Sequence, residues 1–327
     1  MRVFRWLAVA VGVGLFAWIM AEADLGQVAR TVSVIGWGAI AVLAVYFVGF
    51  VLDAMVWHLT LPSFPLDTRH LYRAWKARMV GELVNMVTPL GGMGGEPVKA
   101  VLLNRHYGVD LREGMASVIL TKTIITLSLV LFLSVGFALM LGAPGLSAAY
   151  QGVAGAGLAA LSIGIVLFFL LQRFRLTSVT ASWLSARKMG SALNNILHHI
   201  HDVDHRIARF YMSDPKRFFL SVLLALLAWV VGVAEIYVTM YFLGAPVSFS
   251  EAWIIESAAQ MVRAGVFFIP ASLGAQEGAF LLVTTALTGQ PALGLAVAVV
   301  RRFRELVWLV WGAAIGGLFM RRERFSC

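Results

Sequence analysis

Long apolar blocks constrain this chain more than any other feature of its sequence. We count six of them, at residues about 4–21, 34–57, 115–141, 149–172, 218–243 and 293–319. Each matches the roughly 20 apolar residues that cross a bilayer as a helix. Charged residues make up 13% of the chain, about half of the roughly 25% that soluble domains carry. The sequence therefore predicts an all-α polytopic membrane protein with about six spanning helices, and it excludes a soluble domain with one or two anchors.

The net charge of +9 is distributed in a way that orients the chain in a membrane. Basic residues, Arg78 among them, concentrate in segments that are cytoplasmic when the N-terminus is inside, above all in residues 173–217. Glu22, Glu251 and Glu256 fall on the opposite side. Such an excess of lysine and arginine marks the cytoplasmic face and attracts anionic lipid. We expect a bacterial or archaeal plasma (inner) membrane, both termini cytoplasmic, membrane lipids as partners and no nucleic acid.

Five residue identities recur at one constant offset of 181 positions. They pair Pro65 with Pro246, Pro89 with Pro270, Glu96 with Glu277, Gly108 with Gly289 and Gly136 with Gly317. Two polar, interrupted stretches at about 70–107 and 250–289 each contain one Pro-x6-Glu element, and three apolar blocks separate them. Since three crossings turn the second stretch over, we predict two re-entrant hairpins in an inverted repeat, an architecture that transporters share. The alternative is an old duplication whose hairpins only pack together.

The repeat divides the chain into residues 1–172, a cytoplasmic amphipathic basic loop over 173–217, and residues 218–327. The loop contains the run His198-His199-Ile200-His201-Asp202-Val203-Asp204-His205. A metal site and a sugar-nucleotide transferase site are both conceivable there, but the loop is too short for a nucleotide-binding domain. An amphipathic helix on the inner leaflet is favoured. We expect no metal and no cofactor.

A glycine-rich turn follows the proline of the first Pro-x6-Glu element, and the second element has the same shape but less glycine. The first element runs from Pro89 to Glu96 and contains Gly91, Gly92, Gly94 and Gly95. Such a turn at the start of a helix presents free backbone N–H groups and the positive end of the helix dipole, which suit a phosphate or carboxylate. Glu96 and Glu277 then shape or gate the site, beside Pro89 and Pro270. The alternative is that each glutamate only caps its own helix.

Four cations lie within apolar blocks, where ionisable residues are costly and indicate function by default. They are Lys122, Arg301, Arg302 and Arg304. Lys122 follows Glu96 by 26 positions and Arg302 follows Glu277 by 25. Each repeat therefore places a cation at a similar depth below its hairpin.

Pairing with acids accounts for only part of this charge. Arg301 and Glu305 can pair on one helix face, and Glu82 and Arg263 can pair across the repeat interface, seven residues before their respective prolines. Because cations remain over, we predict an unneutralised cationic cavity, which suits the phosphate of a lipid headgroup.

These motifs resemble those of a known family. Gly81-Glu82, Asn85, Pro89 and Glu96 in the first repeat, and Pro270, Gly274, Glu277 and Arg301-Arg302 in the second, resemble the flippase-like membrane domain family. That family includes the transmembrane half of bacterial lysylphosphatidylglycerol synthases (multiple peptide resistance factor). The resemblance covers nearly the whole chain and implies re-entrant helices that bind or move polar lipids. The synthases' soluble transferase domain is absent from this sequence, so lysyl transfer is not expected.

The sequence as a whole predicts a lipid flippase or lipid-binding transporter with a cationic cavity at the repeat interface, and no catalytic residue. Two alternatives stay open. One is an intramembrane lipid-modifying enzyme that uses Glu96 or Glu277 as general base. The other is an accessory scaffold subunit, whose partner would be a lipid-pathway enzyme.

Overall fold

A computed structural model describes residues 13–19, 21, 24–88, 94–143, 146–173, 214–266 and 269–324. Ten α-helices lie in these ranges after the helical residues 13–19. They are α1 (Leu25–Ser33), α2 (Gly38–Leu59), α3 (Thr68–Val87), α4 (Glu96–Tyr107), α5 (Leu111–Leu141), α6 (Ala148–Arg173), α7 (Pro215–Phe242), α8 (Phe249–Gly265), α9 (Ala275–Thr288) and α10 (Pro291–Arg324). A short 3-10 helix, Pro270–Ser272, separates α8 from α9.

Three of the helices, α2, α5 and α7, are long and apolar enough to cross a membrane. They coincide with three of the predicted blocks, and α6 and α10 coincide with two more. Most of the block at 4–21 and of the loop at 173–217, with its histidine run, lies outside the described residues. The all-α polytopic membrane fold is confirmed.

Helix ends recur at the offset of the sequence repeat. Asp67 and Ser248, which are 181 positions apart, are the N-caps of α3 and α8. Gly108 and Gly289 end α4 and α9 in the left-handed conformation, with φ of 72° and 73°. Such a conformation favours glycine at the residue that follows a helix. These four residues thus mark equivalent places in the two halves.

Helices α2 and α7, which occupy equivalent positions in the repeat, pack against each other in antiparallel fashion. Gly38 lies against the ring of Phe242, and Gly49, further along α2, lies against Val231, which comes earlier in α7. Since both helices are long enough to span, they cross a membrane in opposite directions. This is the relation that an inverted repeat predicts.

Each half also contains a broken helix pair. Helix α3 ends at Thr88, whose backbone is extended and which directly precedes Pro89. In the second half, Ile269 is extended in the same way directly before Pro270. A residue before proline is driven out of the helical conformation. The second helices, α4 and α9, have 12 and 14 residues, so they reach only about 18 and 21 Å. That is less than the roughly 30 Å of a hydrocarbon core, and re-entrant placement of the pairs stays our prediction.

Candidate functional site

Two adjacent polar cavities lie where the broken helix pairs meet. The turn cavity, of about 260 Å³, lies between the last turn of α3 and the 3-10 helix, with Asn85, Met86, Ala271 and Ser272 in its lining. The core cavity, of about 250 Å³, extends among α2, α7 and α10. Six residues line both, namely Glu82, Lys122, Ile125, Trp229, Gln260 and Arg263. We therefore treat them as one site.

Acidic and basic side chains balance in this site. Six cations line the two cavities, namely Arg78, Lys99, Lys122, Arg263, Arg301 and Arg304. Six acids also line them, namely Asp53, Glu82, Glu96, Glu235, Glu256 and Glu305. The prediction of an unneutralised cationic cavity is therefore wrong. The sequence was misleading because Glu235 and Glu256 lie on helices 45 to 69 positions before the arginines that they neutralise.

Arg301 and Arg304 are held by carboxylates of other helices. The Arg301 guanidinium donates to Glu256 and lies 3.5 Å from Glu235. Arg304 donates to Glu235 and lies over the Tyr46 ring, 3.7 Å from its centroid. Both arginines are buried, at 3% and 2% exposure. Charges so deep require partners, which makes these two arginines parts of the framework.

Three expectations fail in this site. Arg301 was expected to pair with Glu305, but Glu305 accepts from Arg302 at 2.6 Å instead. Glu256 was expected at the outer face, but it is 1% exposed and binds both Arg301 and Gln260. Arg78 likewise is buried and donates to Asp53 at 2.7 Å, although its basic neighbourhood predicted a cytoplasmic position.

Glu96 and Glu277 bind cations at matching places in the two halves. Lys122 Nζ lies 3.1 Å from Glu96, and Arg302 Nε donates to Glu277 at 2.6 Å. Glu96 also binds the buried Lys99 at 2.6 Å. The sequence placed Lys122 and Arg302 at equal depth but did not predict that they pair with the two glutamates.

The backbone amides of the turns are only partly available to a ligand. The N–H of Gly95 donates to Asn85 Oδ1 at 2.7 Å, and the Asn85 amide donates to Glu96 at 3.2 Å. The N–H of Gly274 donates to Glu277 at 2.8 Å. The expectation that Gly95 would offer its amide to an anion is therefore wrong, because a buried asparagine has taken it.

The glycines of the first turn have a packing role where they are described. A Cβ on Gly95 would lie 1.8 Å from the carbonyl oxygen of Gly81, and one on Gly94 would lie 2.1 Å from Thr88 Oγ1. Glycine therefore lets the start of α4 cross α3 in direct backbone contact. Pro89, Gly91 and Gly92 lie outside the described residues.

The second turn is strained and is tied to α10 by Arg302. Ala271 and Ser272 both have φ of 50°, a conformation that costs L-residues energy and recurs at functional sites. Arg302 donates to the Ala271 carbonyl at 3.0 Å while it also binds Glu277 and Glu305. Glu277 therefore caps α9 and also neutralises a cation, so it does more than cap its own helix. Pro270 begins the strained turn.

Glu82 and Arg263 are the remaining predicted pair, and they do not meet. Both line the turn cavity and the core cavity. Neither forms a hydrogen bond or ion pair with any residue in the described part of the chain. Their predicted pairing across the repeat interface is therefore wrong, and both charges face the cavities.

Several residues of the site were not predicted from the sequence. Lys99, Gln260 and Trp229 were not singled out, although they line the cavities. Lys99 lies three positions after Glu96, and Gln260 lies four positions after Glu256. These spacings place two polar groups on one helix face, and that was the signal that could have identified them.

A third cavity, which is apolar, lies against another face of α8. It has a volume of about 340 Å³, and Ser257, Ala258, Met261 and Val262 of α8 line it together with residues of α5, α6 and α9. Gln260 and Arg263 on the same helix line the polar cavities. One helix thus separates a charged cavity from an apolar one. Within the described ranges no three His, Cys, Asp or Glu side chains come together as a metal site would need.

Comparison with known proteins identifies a family and a curated relative. The family described as "Lysylphosphatidylglycerol synthase TM region" matches residues 5–312. A "UPF0104 membrane protein" of Methanothermobacter thermautotrophicus is 21% identical over 288 residues, which cover 83% of this chain and 82% of the relative. No solved structure matches the chain.

Proposed function

The chain belongs to the family of the lysylphosphatidylglycerol synthase TM region, and from that premise we propose that it binds the headgroup of a polar membrane phospholipid and moves the lipid between leaflets. A membrane location and a lipid-related role follow from the family. The transport activity rests above all on one observation, namely that two broken helix pairs meet at a charge-lined cavity within a bundle of apolar helices.

Irregular backbone at membrane depth is tolerated where it is buried in protein or lines a wet cavity. Transporters built from inverted repeats place their substrate at such breaks, near the bilayer midplane. Here the last turn of α3 and the strained turn at Ala271 line one cavity. The antiparallel packing of α2 and α7 supports the same architecture.

We propose that Lys122 exchanges its partner, Glu96, for the phosphate of a headgroup. Its side chain is 41% exposed, whereas that of Lys99 is 5% exposed, and both bind Glu96. When a headgroup phosphate takes Lys122, Glu96 keeps Lys99, so no buried carboxylate is left without a cation. This matters because an uncompensated buried charge costs about 3–5 kcal/mol.

We propose that Arg302 couples the shape of the turn cavity to the movement of the lipid. It joins α10 to the strained turn through the Ala271 carbonyl. Release of that bond would let Ala271 and Ser272 leave the left-handed region and would change the shape of the turn cavity. The apolar cavity on the other face of α8 would receive part of an acyl chain while the headgroup occupies the charged site.

Transport can be tested in proteoliposomes with phospholipids that carry a fluorophore on the acyl chain. Dithionite quenches only the outer leaflet, so the loss of the protected fraction measures movement between leaflets. We expect the wild type to exceed protein-free vesicles and Lys122→Ala to be about tenfold slower, since a charge-assisted bond to phosphate is lost.

Lys216→Ala, at an exposed position near the start of α7, is the matched control and should retain the wild-type rate. A Lys122→Ala rate equal to that of the wild type would contradict the proposal. Mass spectrometry of the recovered lipids covers the enzymatic alternative, because a changed lipid mass would indicate chemistry at Glu96 or Glu277 and not transport.

We also propose that the protein lies in the plasma membrane of a bacterium or archaeon with both termini cytoplasmic, in keeping with the positive-inside rule. The sole cysteine, Cys327, is the last residue, which allows a direct test. A membrane-impermeant maleimide should label it only after right-side-out vesicles are permeabilised. Labelling of intact vesicles would place the C-terminus outside.

A further inference from the structure

Two opposite charges in the site take no part in the ion-pair network of the described residues. Glu82 on α3 and Arg263 on α8 are 181 positions apart, so they occupy equivalent places in the two halves. Within the described residues neither has a hydrogen-bond or ion-pair partner, whereas Arg78, Lys99, Lys122, Arg301 and Arg304 each bind a carboxylate.

A charge that lines a cavity and forms no hydrogen bond or salt bridge with the described residues keeps its hydrogen-bonding positions for a ligand. Glu82 is an acceptor that suits an ammonium group with N–H donors, and Arg263 is a fork of donors that suits a phosphate. Both line the same two cavities. One molecule that carries an ammonium and a phosphate can therefore satisfy both at once.

The charge balance of the site points in the same direction. Six acids and six cations line the cavities, so the lining has no formal net charge. An anionic headgroup would leave one negative charge uncompensated in a low-dielectric region, which is costly. A headgroup without net charge leaves the balance unchanged.

We propose that the lipid carried by this site has a zwitterionic headgroup with a primary ammonium, which Glu82 binds, and a phosphate, which Arg263 binds together with Lys122. This proposal rests on the proposed function and specifies its substrate class. A quaternary ammonium lacks N–H donors and binds best on aromatic faces, so a choline headgroup is a poorer fit to the Glu82 carboxylate.

The test compares three acyl-labelled phospholipids in the dithionite assay, with the intact headgroups ethanolamine, glycerol and choline. We expect the wild type to move the ethanolamine lipid about tenfold faster than the other two, the size of effect that one hydrogen bond to a charged group supports. Glu82→Gln should slow the ethanolamine lipid far more than the glycerol lipid, so that the preference between them is lost. Arg263→Gln should slow all three.

Two further variants control for misfolding. Glu113→Gln changes a partly exposed glutamate that accepts from Ser63 outside both cavities, and it should keep the wild-type preference. The exchange Glu82→Arg with Arg263→Glu retains the net charge and should regain part of the ethanolamine rate that Glu82→Arg alone loses.

The outcomes separate this inference from the proposed function. Equal wild-type rates for the ethanolamine and glycerol lipids, or a Glu82→Gln variant that slows both equally, would overturn the zwitterion assignment while transport itself stands. A choline lipid that moves as fast as the ethanolamine lipid would overturn the role of the primary ammonium. If no lipid moves faster than in protein-free vesicles, the proposed function fails.

Discussion

Arg302 binds Glu277 at 2.6 Å in the second half, just as Lys122 binds Glu96 at 3.1 Å in the first. In each half the glutamate lies in the first turn of the short helix, α4 or α9, and the cation lies on the long helix that follows. Each broken pair is therefore tied to the long helix that follows it by an ion pair at this glutamate. The two ties differ in exposure, since the side chain of Lys122 is 41% and that of Arg302 is 21% exposed.

Arg301 is the residue whose loss should damage the framework most. Arg301→Leu leaves Glu256 and Glu235 with reduced compensation in a buried site. We expect a loss of about 3–5 kcal/mol in the free energy of unfolding, visible as a lower melting temperature of the protein in detergent.

The double variant Arg301→Leu, Glu256→Leu removes both partners and keeps the Glu235–Arg304 pair, so it should recover much of the loss. Arg30→Leu, at an exposed position on α1, should change stability little. A double variant less stable than Arg301→Leu would show that the pair does more than neutralise charge.

Gly95 should resist enlargement because of the direct backbone contact between α3 and α4. A Cβ at this position would lie 1.8 Å from the Gly81 carbonyl oxygen, so Gly95→Ala must shift backbone and should cost about 1–3 kcal/mol of stability. A Cβ on Gly152 of α6, by contrast, would meet no other atom within 4 Å. Gly152→Ala should therefore be neutral or stabilising by about 0.5–1 kcal/mol, and equal effects of the two substitutions on the melting temperature would refute the close approach.

Local signals in the sequence predicted several helix ends of this protein well. The offset of 181 anticipated the equivalent helix ends at Gly108 and Gly289, and Pro89 anticipated the end of α3 at Thr88. These features depend on one or two neighbouring residues, because glycine acts on its own backbone and proline on that of the residue before it.

The ion pairs of the site were not predictable in the same way. Arg301 pairs with Glu256 across 45 positions, and Arg304 pairs with Glu235 across 69. The local spacing of Arg301 and Glu305 favoured a different pair. That pair does not form, because two carboxylates of other helices lie next to the Arg301 guanidinium. Which acid neutralises which cation depends on helix packing, and no spacing within one helix specifies it.

The strain at Ala271 gives a prediction of opposite sign to the usual effect of glycine. Because Ala271 has φ of 50°, Ala271→Gly should relieve strain and stabilise the protein by about 1 kcal/mol. Ala258→Gly, in the middle of α8, should cost about 0.5–1 kcal/mol. Thermal unfolding of both variants provides the check, and a destabilised Ala271→Gly would argue that this backbone conformation carries no strain.

Acid should weaken one end of the fold selectively, at the N-cap of α3. The Asp67 carboxylate accepts from the backbone N–H of His70 at 2.7 Å, and this bond holds the pKa of Asp67 below its usual value of 3.8. Because the pKa is lower in the folded state than in the unfolded state, the stabilisation by Asp67 is present above pH 3.8 and is lost as the pH falls through the folded-state pKa. We therefore expect Asp67→Ala to lower the melting temperature near neutral pH and to lose this effect in acid. Ser248 caps α8 at the equivalent position with a hydroxyl that accepts from the backbone N–H of Glu251 at 3.2 Å and does not titrate. That hydroxyl also donates to the Glu251 carboxylate at 2.8 Å, so the cost of Ser248→Ala should shrink in acid but should not vanish as the cost of Asp67→Ala does. An Asp67→Ala effect that is as large in acid as at neutral pH would mean that the side chain stabilises α3 by packing and not by its charge.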